Sequence, residues 1–154
     1  MLHVVLYQPL IPPNTGNIGR QCVGLDAHLH LIGPLGFDLD DHAVRRAGLD
    51  YWPHLKLTVH DSPEDFLAWL GDREPWLVSK FGKTHYYEPA YVDEDILIFG
   101  RETTGLPDSW AKRWPDRLIS IPILGEIRSF NLANAVAVLL TEATKQIGRF
   151  EKIG

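Results

Sequence analysis

The residues best suited to chemistry lie in three polar, glycine-bearing stretches. They are Asn14-Thr15-Gly16-Asn17-Ile18-Gly19-Arg20, Gly100-Arg101-Glu102-Thr103-Thr104-Gly105-Leu106-Pro107, and the run from Leu124 to Asn131. The last continues into the cluster Arg128-Ser129-x-Asn131-x-x-Asn134. Amides, hydroxyls and guanidinium groups at this density bind and orient a polar or anionic ligand. They lack the partners for covalent attack, because Ser129 has neither a G-x-S-x-G elbow around it nor a histidine close in sequence. Gly16-x-x-Gly19 is not a G-x-G-x-x-G turn, and no G-x-x-x-x-G-K-[ST] loop occurs. These absences disfavour a Rossmann dehydrogenase, a P-loop NTPase and a hydrolase. Seven histidines are scattered along the chain, and only His28-x-His30 is tightly spaced. Alternation on a strand would put that pair on one face. No cysteine or further ligand accompanies it in sequence, so no metal centre is expected.

The elements that must position these stretches follow from the apolar pattern. Val4 to Tyr7, Leu29 to Ile32, Leu55 to Val59, Trp76 to Ser79, Ile96 to Phe99 and Leu118 to Ile121 read as strands. Helical segments alternate with them. One follows Asn14 to Arg20, carrying Ile18, Cys22 and Leu25 inward, and one starts from Asp40 or Asp41 and runs through Ala47. Ser62-Pro63-Glu64-Asp65 opens another that ends at Gly71, and Asp108 to Trp114 is a short one. The last opens near Ser129 to Asn131 and stops at Gly148, with Leu132, Val136, Leu139, Leu140, Ala143 and Ile147 on one stripe. Its remaining surface is rich in alanine (Ala133, Ala135, Ala137), so another backbone can approach closely. This strand–helix alternation predicts an α/β fold with a mostly parallel sheet of about six strands and helices on both faces. Each polar stretch falls at the C-terminal end of a predicted strand, the edge where open α/β sheets bind ligands.

Length and composition agree. With 154 residues, 45% hydrophobic and 23% charged, the chain reads as one ordinary globular domain, 1–154. No apolar run approaches the roughly 18 residues of a membrane span, and the N-terminus lacks a signal peptide's basic region, so a cytoplasmic protein is expected. The single cysteine, Cys22, permits no internal disulfide and reads as core. A net charge of −5 argues against a general nucleic-acid coat but leaves room for a local basic patch.

Taken together, three motifs resemble those of the SPOUT-superfamily RNA 2′-O-methyltransferases. They are Pro12-Pro13-Asn14-Thr15-Gly16-Asn17-Ile18-x-Arg20, Phe99-Gly100-x-Glu102-Thr103-x-Gly105-Leu106-Pro107, and Ile121-Pro122-Ile123 with Arg128-Ser129-x-Asn131-Leu132-x-Asn134-Ala135-Val136. The similarity runs in order through nearly the whole chain. It is greatest to the compact form without an extra RNA-binding domain, which methylates the wobble nucleotide of tRNA, and Arg45-Arg46-Ala47-Gly48-Leu49-Asp50-Tyr51 is similar to that group too. The resemblance implies a C-terminal trefoil knot, an S-adenosyl-L-methionine cofactor leaving as S-adenosyl-L-homocysteine, a homodimer, and the tRNA anticodon loop as partner. Two alternatives stay open: methylation of another RNA such as rRNA, and a non-catalytic RNA-binding protein of the same fold.

Motif matching assigns Val78, Gly100, Ile121 and Ser129 to the cofactor, and Arg20 and Asn131 to catalysis. Gly100 would let backbone come close, and Val78 and Ile121 would offer an apolar slot for adenine. Family proposals make the arginine matching Arg20 a general base. A guanidinium holds its proton above a pKa of about 12, so a bidentate grip on the phosphate beside the target ribose is the simpler role. Asn131 would orient the ribose hydroxyl or the Ser129 loop, or serve only as a helix cap. Glu102 could hydrogen-bond across two loops. Arg45, Arg46, Lys80, Lys83 and Arg128 are candidates for a tRNA-facing patch, and the five tryptophans read as core or dimer interface.

Overall fold

In a computed structural model describing residues 1–39, 46 and 50–153, the apolar runs assemble into one sheet. Its strands are β1 (His3–Tyr7), β2 (His28–Ile32), β3 (Leu57–His60), β4 (Trp76–Val78), β5 (Thr84–His85), β6 (Ile96–Phe99) and β7 (Leu118–Ser120). They lie in the order β3-β2-β1-β6-β4-β7-β5, and every pairing is parallel. Among the described residues the sheet has seven strands rather than six because Thr84 and His85 pair with Ile119 and Ser120 of β7. Two polar residues carry no strand pattern of their own. They are recruited by the edge of β7.

Helices α1 (Pro12–Gly24) and α4 (Leu132–Gln146) cover one face, and α2 (Pro63–Leu70) and α3 (Asp108–Arg113) cover the other. Strand alternation sorts the core accordingly. Val4, Leu6, Leu29, Leu31, Leu97 and Phe99 meet Ile18 and Cys22 of α1 and Val136, Leu139, Leu140 and Ala143 of α4. Val5, Ile32, Leu77, Ile96 and Ile98 meet Phe66, Leu70, Trp110 and Trp114. Cys22 is fully buried, and burial pushes its thiol up to about 12.

The helix signals act as expected. The Ser62 hydroxyl accepts from the Asp65 N–H at 3.1 Å, Pro63 occupies the first turn, and Gly71 ends α2. The helix predicted from Asp40 or Asp41 through Ala47 lies outside the described residues, apart from the exposed Arg46. Among the described residues no helix is long and apolar enough to cross a membrane.

The face under α2 also holds a polar ladder. His3 and His30 share a hydrogen bond of 2.9 Å between ring nitrogens, and His30 and His60 one of 3.0 Å. His3 Nε2 donates to Glu94 at 2.8 Å, so each buried ring has a partner. Burial, followed by the charges of neighbouring histidines, holds His30 far below the usual imidazole range.

Candidate active site

Three neighbouring strands end together to form the first part of the site. Val78, the last residue of β4, pairs with Phe99 on one side and Ile119 on the other. Gly100 follows Phe99 directly, and Ile121 follows β7, so these three predicted cofactor residues share one sheet edge. Val78 and Ile121 are half-buried there, presenting apolar surface beside open backbone. Gly100 is needed for a close approach: a Cβ on it would stand 2.5 Å from the carbonyl carbon of Gly105. Gly105, at φ 72°, reverses the chain so that the Arg101 and Gly105 amides each donate to the other's carbonyl, at 3.2 and 2.9 Å. Glu102, at the head of this loop, accepts from the Leu10 and Ile11 N–H groups, the latter at 2.6 Å. It hydrogen-bonds across two loops as its position in the motif suggests.

The second part corrects the reading of residues 14–20 as a loop. Helix α1 already begins at Pro12, with Ile11 at its N-cap. The two prolines that look like strand terminators occupy the first helical turn, where their fixed φ and missing N–H cost nothing. Asn14, Thr15, Gly16 and Ile18 are therefore buried helical residues. The Asn14 Oδ1 accepts from Asn131 Nδ2 at 3.2 Å. Asn131 is also the N-cap of α4, its Oδ1 accepting from the Ala133 and Asn134 N–H groups at 2.9 and 3.3 Å. Gln21 Nε2 donates to the Ala133 carbonyl at 2.8 Å, using the close approach that the small residue permits.

Arg20 projects from α1 into solvent with its guanidinium 5.6 Å from the Tyr51 ring centroid. Tyr51 is buried and donates to the Gly16 carbonyl at 2.6 Å, so the ring is fixed against the same helix. Among the described residues no hydrogen bond or ion pair joins Arg20 to the strand-end group. Ser129 lies exposed on the loop leading to Asn131, in which Leu124 is fully exposed and Ile127 and Phe130 are more than two-fifths exposed. Lys80, Lys83 and Arg128 are exposed, as Arg46 is, while Arg45 lies outside the described residues.

The polar loop after β4 is anchored from beneath. The Ser79 N–H donates to the Ile119 carbonyl at 2.9 Å, and Ser120 Oγ donates to the Gly82 carbonyl at 2.8 Å. Beside the site, Tyr7, Gln8, Arg101, Thr104 and Leu106 line a cleft of about 350 Å³. Gln8 holds the left-handed region at φ 44°, and its side chain accepts from the Arg101 guanidinium. Nothing in sequence marks Gln8, because its role comes from a crossing between strand ends 93 residues apart.

The chain is similar to known proteins. The SpoU rRNA Methylase family matches residues 1–141. The tRNA (cytidine(34)-2'-O)-methyltransferase of Methylovorus glucosotrophus is 42% identical over 147 residues, covering 95% of this chain and 96% of that protein. A solved structure described as giving structural insights into the 2-OH methylation of C/U34 on tRNA has a TM-score of 0.91 at 45% identity, covering 96% of each chain. The SpoU methyltransferase AviRb from Streptomyces viridochromogenes, solved in complex with the cofactor AdoMet, has a TM-score of 0.82 at 28% identity. That match covers 97% of this chain and 60% of AviRb. The family match runs over most of the chain and the relatives are more than 40% identical over nearly its whole length: the chain belongs to the SpoU rRNA methylase family.

Proposed function

We propose that this protein is an S-adenosyl-L-methionine-dependent methyltransferase acting on the ribose 2′-OH of the wobble nucleotide, cytidine or uridine 34, of tRNA. One observation carries the reading: Val78, Gly100 and Ile121 meet on adjacent strand ends, in a chain 45% identical over nearly its full length to a structure described for that reaction. The residues present fit the cofactor. Half-buried Val78 and Ile121 supply apolar walls, and the glycine at position 100 lets the neighbouring backbone close to within contact distance. The exposed loop at 124–129 leaves backbone donors and acceptors for polar edges, with Ser129 among them. When bound, the cofactor supplies an activated methyl group.

The chain's own residues would position the acceptor. Arg20, the exposed guanidinium on α1, grips the phosphate beside the target ribose through two parallel N–H donors. Asn131, held by its cap and by Asn14, orients the 2′-hydroxyl. Fixing the reacting atoms in line can supply roughly 7–11 kcal/mol of the barrier without any covalent step. Arg46, Lys80, Lys83 and Arg128 lend local positive charge to a chain that is acidic as a whole. The same reading includes the knotted C-terminal segment, a cytoplasmic location and a homodimer. Exposed Leu124, Ile127, Phe130 and Val138 support the dimer, since all belong to the segment from β7 into α4.

The test is direct. Calorimetry with S-adenosyl-L-homocysteine should give one site per chain. Incubation with methyl donor and unmodified tRNA should place a 2′-O-methyl group at nucleotide 34 by nucleoside mass spectrometry. Indifference to the donor product would refute the enzyme, and methylation confined to rRNA would refute the substrate.

A further inference from the structure

The strongest unassigned cluster lies on the other face and towards the other end of β1 and β2, where His3 and His28 open their strands directly opposite one another. His30 stands on the same face as His28, two residues further along β2. One nitrogen from each of His3, His28 and His30 lies within 4.8 Å of the others. The register of the parallel pair brings the third histidine to the H-x-H pair, which sequence spacing cannot do.

The outer nitrogens are already engaged, as they are around bound metals, where ligating imidazoles hand their second N–H to a carboxylate, hydroxyl or carbonyl. Glu94 holds His3 Nε2 at 2.8 Å, Thr58 Oγ1 holds His28 Nε2 at 2.7 Å, and His60 Nε2 faces His30 Nδ1 at 3.0 Å. The nitrogens left to face an ion are His3 Nδ1, His30 Nε2 and, once its ring turns, His28 Nδ1. We propose that His3, His28 and His30 form a binding site for a divalent transition-metal ion of the zinc type, independent of the methyl-transfer site.

Three imidazoles favour Zn²⁺, Co²⁺, Ni²⁺ or Cu²⁺ over Mg²⁺ or Ca²⁺, which take oxygen donors. Bond lengths of about 2.0–2.1 Å in a tetrahedral shell set ligand nitrogens roughly 3.3 Å apart. His3 Nδ1 and His30 Nε2, now 2.9 Å apart, need to open by only a few tenths of an ångström. His28, half-exposed and stacked on His30 with centroids 4.1 Å apart, must turn its ring edge inward, which its position at the surface permits. With His3 Nε2 donating to Glu94, His30 Nε2 donates to His3 Nδ1 and His60 Nε2 to His30 Nδ1. On metal binding His30 and His60 each shift their proton from Nε2 to Nδ1, so that His30 Nδ1 donates to His60 Nε2, the His30 Nε2 lone pair faces the ion and every ring stays neutral. Water completes the shell. The ion would fasten the first strand to the second and act on the fold rather than on the reaction.

The probe is Zn²⁺ itself, titrated calorimetrically into chelator-treated full-length protein at pH 7.5, with Co²⁺ as a spectroscopic substitute. The expected result is one equivalent bound with a dissociation constant of about 10 μM or tighter. Tetrahedral Co²⁺ visible bands and a melting temperature that rises with free Zn²⁺ should accompany it. His28→Ala, a half-exposed change that spares the core, should weaken binding by about 10–100-fold. The double variant His54→Ala/His85→Ala, which removes histidines elsewhere, should bind as the wild type does. Absence of binding at these concentrations would overturn the proposal and leave a purely hydrogen-bonded ladder. So would binding that His28→Ala leaves unweakened, or that disappears in the double variant.

Discussion

Asn131 caps α4 and at the same time donates from its side-chain amide to Asn14 of α1, a residue 117 positions earlier. One side chain thus caps the start of α4 and fixes that helix to α1. The two duties separate by substitution. Asn131→Ala loses both and should cost about 1 kcal/mol of stability, measured by denaturant unfolding. Asn131→Asp keeps an acceptor for the Ala133 and Asn134 N–H groups and adds a favourable charge at the helix N-terminus. It cannot donate to Asn14, so it should melt near the wild type while methylation falls by about 100-fold through lost positioning.

Arg20→Ala should bind S-adenosyl-L-homocysteine with unchanged affinity, since Arg20 stands on α1 and not at the ends of β4, β6 and β7. Methyl transfer should drop by at least about 100-fold, and Arg20→Lys should recover only a small part because a point charge lacks the two-pronged geometry. Normal turnover in the alanine variant would remove Arg20 from the mechanism.

Gly100→Ala places a methyl 2.5 Å from Gly105 backbone, where no flexible side chain can yield. The loop must shift, at about 1–3 kcal/mol. Because that loop borders the cofactor edge, calorimetry should show S-adenosyl-L-homocysteine binding weakened by about tenfold or more. Gly24→Ala, at the end of α1 where an added Cβ meets nothing within 4 Å, is the matching control and should bind normally.

Binding of tRNA should weaken steeply with salt, and Lys80→Ala/Lys83→Ala should lower the slope of log K against log[salt] by about 1.4, for two contacts to single-stranded phosphate. A slope equal to that of the wild type would place those lysines off the RNA path.

Asp26 offers a pH test away from the site. The Arg149 guanidinium, bonded to it at 2.6 Å, and then Lys56 at 3.3 Å hold its carboxyl below the usual range. A depressed folded-state value means the interaction is fully present above the ordinary Asp range and is lost as pH falls through the folded value. Carbon-13 titration of Asp26 should therefore show a low midpoint that rises towards the ordinary one in Arg149→Gln.

Much of this architecture is legible in the residues because local rules and long-range packing agree. Ser62-Pro63 and Gly71 bracket a helix whatever surrounds it, and the 132–147 stripe predicts its own buried face: Val136, Leu139, Leu140 and Ala143 are all fully buried. What escaped depends on register. Pro12-Pro13 reads equally as an end and as a beginning, and only the packing of α1 on α4 decides for the helix. Thr84-His85 becomes a strand because β7 offers an unpaired edge. His3 meets His28-x-His30 because β1 and β2 start level, a fact that no spacing within one segment contains.

The contact between α1 and α4 also sets an order of events during synthesis. Ile18 and Cys22 emerge early, yet their cover of Val136, Leu139 and Leu140 is translated much later. A chain cut short before residue 132 would display that uncovered apolar surface and lack Asn131. Such a product is a target for chaperones and proteases rather than a weakened methylase.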